Sequence, residues 1–149
     1  MNKILFRGKR TDNGEWVEGF YAAFGGKDNK YHVIFTGKFI ALPIGAGFTP
    51  ELYYVDSETV GQFTGLVTTN ETPIWEGDIA RFDDANYEVR RECDTPGGYW
   101  AETGFTLKRI GWDNTESFTD TIDDFCNEIC VEIIGNIHDN PELLKEEKP

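Results

Sequence analysis

The chain has 149 residues, of which 39% are apolar and 14% aromatic, and its formal net charge at pH 7 is −13. Four Trp, six Tyr and eleven Phe exclude a polar chain too poor in apolar surface to build a core. The charge excludes a general binder of phosphate polyanions unless a basic face is segregated from the acids.

The acids are unevenly placed. Residues 1–50 hold seven Lys/Arg and four Asp/Glu, whereas residues 51–149 hold seven and twenty-three. The length suits one domain over 1–149, with subdomains expected at about 1–66 and 67–149.

In chain order, Lys3–Phe6 is a short β-like run that turns basic at Arg7, Lys9 and Arg10. Ile4, Leu5 and Phe6 are too short an apolar run for a secretory signal, so a cytoplasmic protein is expected. Asp12-Asn13-Gly14 is a hairpin turn signal, and Glu15–Tyr21 reads as an aromatic strand. Tyr31–Phe35 is a second strand. Residues 37–50, punctuated by Pro43, Gly45, Gly47 and Pro50, read as an irregular connection or a loop with a short strand.

Leu52–Val55 is apolar and strand-like, and Asp56 or Ser57 can cap a brief helical turn. Thr59–Thr64 is β-like, Thr68–Pro73 a polar turn, and Ile74–Phe82 a loop feeding a strand. A turn at 83–86 and a strand at Tyr87–Arg91 follow, then a reversal at Pro96-Gly97-Gly98 and an alternating strand from Phe105 to Trp112. Phe118, Ile122, Phe125 and Ile129 are spaced 4, 3, 4, which predicts one amphipathic helix. Cys130–Ile137 is a strand. Asn140-Pro141-Glu142 predicts the start of a short C-terminal helix, docked by Leu143 and Leu144 and followed by a frayed tail at 145–149.

The three Cys, at 93, 126 and 130, are too few for a zinc site without His32 or His138, and neither His lies in a paired ligand motif. Free thiols and no metal are expected.

Four stretches carry a resemblance. They are Phe6–Arg10 with Gly14–Gly19, Thr59–Leu66, Ile74–Ile79, and Ile134–Leu143. Together and in this order they resemble the YopX family, small proteins common in phages and prophages of bacteria. The resemblance implies a mainly β, small barrel-like fold, assembled as a homo-oligomer, and no established activity. Regions 36–50 and 92–104 lie outside the motifs and inherit nothing from it.

Within the motifs, Gly8, Gly14, Gly19, Gly61, Gly65, Gly77 and Gly135 suit positive φ or close strand packing. Trp16, Phe63, Trp75 and Ile79 suit core or interface positions, and Pro141 a helix start. Arg7, Lys9, Arg10, Gln62, Glu76, Asp78 and Asn136 remain as a candidate polar site, with Arg7 or Arg10 holding an anion or pairing with Glu76 or Asp78. Turn bonds and ion pairs that fix the fold are the preferred account of the same residues.

The sequence contains no phosphate-binding glycine loop, HExxH, GxSxG or paired CxxC, and no cofactor is implied. A binding protein is therefore ranked first, acting through self-assembly or a host or phage protein partner. A nucleic-acid-binding barrel that uses Phe6–Arg10 with Trp16 ranks second, and an enzyme with an unrecognised site last. The cysteine reading is testable. Purified protein should carry no stoichiometric zinc and three titratable thiols under native or denaturing conditions; zinc released only on unfolding would refute it.

Overall fold

The computed structural model describes residues 4–28, 30–91, 104–111 and 131–145. Cys93, Cys126, Cys130, the 118–129 helical stripe and the tail at 146–149 lie outside the described residues. Among the described residues there are ten strands: β1 (Phe6–Lys9), β2 (Trp16–Phe24), β3 (Tyr31–Ala41), β4 (Phe48–Tyr54), β5 (Gly61–Val67), β6 (Pro73–Trp75), β7 (Asp78–Phe82), β8 (Ala85–Arg91), β9 (Phe105–Arg109) and β10 (Glu132–Asn136). They form two antiparallel sheets, in the orders β4-β3-β2-β1-β5-β6 and β10-β7-β8-β9. No helix among the described residues is long and apolar enough to cross a membrane.

The mainly β class holds, but the barrel does not. Among the described residues both sheets are open, each with two edge strands. The expected C-terminal helix is also corrected. Residues Pro141–Leu144 form a single 3-10 turn, and the Asn140 side chain makes no cap bond to it. Asn140 instead turns its Oδ1 back to the backbone N–H of Asn136 (3.3 Å), so the orphan amides that would favour a longer helix lack their cap.

The chain divides into two compact units, Met1–Phe63 and Thr64–Pro149, with β5 beginning in the first and ending in the second. In the first unit, Asp12-Asn13-Gly14 closes the β1–β2 hairpin as expected. Asn13 Oδ1 accepts from the Glu15 amide (2.9 Å), the local bond that makes Asn a turn residue. Asp56 likewise caps the 3-10 turn Ser57–Thr59 by accepting from the Glu58 amide (3.0 Å).

Residues 37–50 are strand at 37–41 and 48–50, joined by a loop at 42–47, and so nearer to a loop with strand than to an irregular connection. Phe39, Ile40 and Ala41 pair with Pro50, Thr49 and Phe48, so β3 and β4 form one long hairpin closed by Leu42 N–H to Gly47 C=O (2.9 Å). The ladder skips between Phe35 and Phe39, where β3 takes up extra residues around Gly37 as a bulge. Pro50 is tolerated because β4 is an edge strand, whose outward N–H positions need no partner.

The core of the first unit is Val17, Ile34 and Val55, with Tyr21, Tyr53 and Val60 packed against it. That of the second is Ile74, Ala80, Val89, Phe105, Leu107 and Val131, with Leu66, Tyr87 and Ile133 around it. Ile34 has no exposed surface, and Phe39 is 63% exposed on the same strand. Ile34→Ala should therefore cost about 2–5 kcal/mol in urea denaturation, and Phe39→Ala under about 0.5 kcal/mol. Equal costs at the two positions would contradict this placement of the core.

Candidate functional site

Period-two alternation along β1 sends Phe6 and Gly8 to one side and Arg7 and Lys9 to the other. Phe6 meets the Tyr21 ring at 5.4 Å, and a Cβ on Gly8 would lie 3.1 Å from Val55 Cβ, so that side is the core. Lys9 pairs in register with Trp16 on β2. The Arg7 guanidinium carbon lies 4.7 Å and the Lys9 ammonium 5.5 Å from the centroid of the Trp16 ring, so two cations share one indole. Gln62 pairs with Phe6, which puts it on the core side of the strand.

Arg10 begins a connected row. Its guanidinium grips Asp12 through two parallel bonds, Nε to Oδ1 (2.9 Å) and Nη2 to Oδ2 (2.5 Å), and lies 3.9 Å over the Tyr53 ring. Tyr53 Oη donates to Glu51 Oε1 (2.8 Å) and Thr36 Oγ1 donates to Glu51 Oε2 (2.5 Å). The row thereby ties the 11–14 turn to β3 and β4. Arg10 finds its carboxylate in Asp12, two residues away.

Glu76, Asp78 and Asn136 belong to the second unit. Asp78 is 2% exposed, and its Oδ2 accepts from the Trp75 amide (2.8 Å) across the Glu76-Gly77 turn between β6 and β7. Gly77 holds φ 88°, a conformation that a side chain would strain. Its amide donates to Val89 C=O (2.9 Å) and its carbonyl accepts from Ile137 (2.9 Å). Asn136 pairs in register with Asp78. Its Oδ1 accepts from the amides of His138 (3.0 Å) and Asp139 (2.9 Å), and its Nδ2 donates to Asp139 Oδ2 (3.0 Å). A Cβ on Gly135 would lie 2.3 Å from Asn140 Oδ1, so only glycine lets Asn140 fold back there. Trp75 is buried, Gly61 and Gly65 lie in β5, Gly19 in β2, and Pro141 opens the 3-10 turn.

The largest feature of the first unit is apolar. Register pairing builds rows Phe20–Phe35–Leu52, Ala22–Val33–Tyr54 and Phe24–Tyr31 on the face of β2–β3–β4 opposite Ile34. Ring contacts run Phe24–Tyr31–Tyr54 (5.5 and 6.2 Å) and Phe20–Phe35–Phe39 (6.2 and 5.6 Å). Phe20, Phe24, Tyr31, Leu52 and Tyr54 are nonetheless exposed. Beyond them the hairpin projects as an arm, exposed at every position from Gly37 to Phe48. No residue from Phe39 to Pro50 is charged.

The sequence profile of the family described as YopX protein matches residues 5–145. The chain belongs to the YopX family. No curated protein matches it. Among solved structures, protein EF1440 from Enterococcus faecalis is 23% identical to this YopX chain, covering 97% of it and 100% of its own length, with a TM-score of 0.54. At that identity the likeness carries the fold alone.

Three of the polar residues of this YopX chain make structural bonds. Asp78 and Asn136 satisfy turn amides that would otherwise be orphaned, and Arg10 clamps a hairpin. Among the described residues no group of three or more His, Cys, Asp or Glu could hold a metal ion. His32 is engaged at Nδ1 with Tyr21 Oη (2.6 Å), and the two rings stack.

Sequence reading missed the Thr36–Glu51–Tyr53 cluster and the aromatic face. The signal was present in the two-residue spacing of 20, 22, 24, of 31, 33, 35 and of 52, 54, but alternation by itself does not say which side is wet.

The bond from Thr36, then that from Tyr53, holds the Glu51 carboxyl below its ordinary value, and the same carboxylate pushes the Tyr53 phenol up. A lowered carboxyl stabilises the fold above the ordinary 4.5 and loses that contribution as pH falls through its folded value. A raised phenol contributes below the ordinary 10.0 and loses it as pH rises through its folded value. The cluster thus supports the fold most between those two limits. A carbon-detected NMR titration should place the Glu51 midpoint below 4.5, and Thr36→Val should move it upward. No movement would show that the Thr36 bond is not the cause.

Proposed function

We propose that this YopX chain is a phage- or prophage-type accessory protein that works by association, foremost with itself, through the apolar surface of β2–β3–β4. The observation that supports the reading is an exposed aromatic face beside a stretch, Phe39–Pro50, that carries no charge, in a chain whose net charge is −13. Such a chain repels copies of itself at long range, which favours a contact between copies where charge is absent. Water-exposed Phe, Tyr and Leu in contiguous rows are costly to leave uncovered and are what interface cores are built from. Closed symmetric association covers them.

The second reading, a nucleic-acid-binding surface, draws on Arg7 and Lys9 at the Trp16 ring, a pairing of cations with an aromatic face suited to single strands. It ranks lower because the acid excess opposes phosphate approach and Arg10 is neutralised by Asp12.

Light scattering decides between association and a monomer. The purified protein should have a mass above one chain at tens of micromolar, unchanged when salt rises to about 0.5 M, because an apolar contact is not screened. A monomer mass at both low and high salt would end the reading. A fall to monomer only at high salt would transfer the contact to the charged residues.

A further inference from the structure

Among the described residues the β3–β4 arm has no counterpart. From Phe39 to Phe48 the sequence is Phe-Ile-Ala-Leu-Pro-Ile-Gly-Ala-Gly-Phe, ten residues without a polar side chain. The arm is also apolar on both sides. Phe39 and Phe48 follow the face of Phe35, while Ile40 and Leu42 alternate to the other side. Ile44, at the tip, is 102% exposed and Phe48 74%. The two strands of the arm hold each other through the Phe39–Pro50, Ile40–Thr49 and Ala41–Phe48 pairs and the Leu42–Gly47 bond.

An arm that wrapped a groove with one side only would keep a polar outer edge, as solvated strands do. An arm apolar on two sides and at the tip fits a setting in which it is sandwiched.

We infer that the arm of one copy lies on the β2–β3–β4 aromatic face of a second copy, and that the second copy's arm does the same in return. The inference rests on the self-association proposed above and names its contact. Two observations carry it. The chain presents an uncovered apolar projection and an uncovered apolar sheet face side by side, and a two-fold exchange covers both with one operation. Their size agrees with a stable contact, since ten half-exposed apolar side chains present on the order of 1,000 Å² per copy, against about 800 Å² per partner in a standard interface. Charge does not oppose it, because Phe39–Phe48 carries none and the Phe20–Phe35–Leu52 row none, with Lys38 at the base of the arm.

The test uses the full chain in two forms. In the first, Ile44 is replaced by a photoreactive benzophenone amino acid. Illumination should yield a covalent dimer on a denaturing gel, with adducts mapped to residues 20–24, 31–35 or 52–54. In the second, Ile40→Lys with Phe48→Lys places charge on both sides of the arm. These positions are outside the core, so at protein concentrations below the wild-type self-dissociation constant the urea midpoint should stay at the wild-type value, while that constant rises at least about tenfold.

A wild-type multimer that persists undiminished in the Lys variant, or adducts confined to other residues, would overturn the arm exchange and leave self-association standing. A wild-type monomer would overturn both. Sedimentation of the wild type with phosphatidylcholine vesicles, without a covalent dimer, would assign the arm to a lipid surface and overturn the exchange.

Discussion

Ile34 pairs with Tyr21 on one side and Tyr53 on the other, and that single row orients the first unit. Because side chains alternate strictly along a strand, sealing Ile34, Tyr21 and Tyr53 against Val17 and Val55 sends Phe20, Phe35 and Leu52 to the opposite face. A slip of one residue would exchange the two sets, and the energetic difference would be small in hydrophobicity alone, since both sets are aromatic and aliphatic. What selects the register is polar. The row Asp12–Arg10–Tyr53–Glu51–Thr36 can form only when Tyr53, Glu51 and Thr36 share the Ile34 side.

The second unit shows the same division of labour at a turn. Ile74, Ala80 and Val89 supply burial without direction, whereas Asp78 and Asn136 aim hydrogen bonds at particular amides and so set where strands end. Removing the buried Asp78 carboxylate would leave the Trp75 amide without that acceptor, a cost of roughly 1–3 kcal/mol. Residues of this kind resemble an active site in sequence because both tasks call for Asp, Asn, Arg and Gly beside one another. Here the Asp78 and Asn136 oxygens accept from backbone amides.

Turns were the most legible features. Asp12-Asn13-Gly14 and Asp56 act through bonds to amides one or two residues away, so neighbouring letters contain the whole interaction. The stretch 37–50 was legible only in part for a related reason. Pro50 and the glycines look like breakers, yet Pro50 sits on an edge where no N–H is needed, and Gly37 serves a bulge within the ladder. The sequence cannot state that a strand is at an edge. The closed barrel failed for the same reason, as closure depends on partners far apart in the chain.

By itself, the order of residues determined the β class, the local turns and the membership of a family whose motifs run from Phe6 to Leu143. These depend on intrinsic preferences and short-range bonds. Only the tertiary structure decided which aromatics are core and which are surface. Tyr53 and Tyr54 are adjacent and chemically identical, yet one joins the core of the first unit and the other lies on the exposed face. Burial belongs to the far side of the sheet, which is built by strands that the sequence near Tyr54 does not contain.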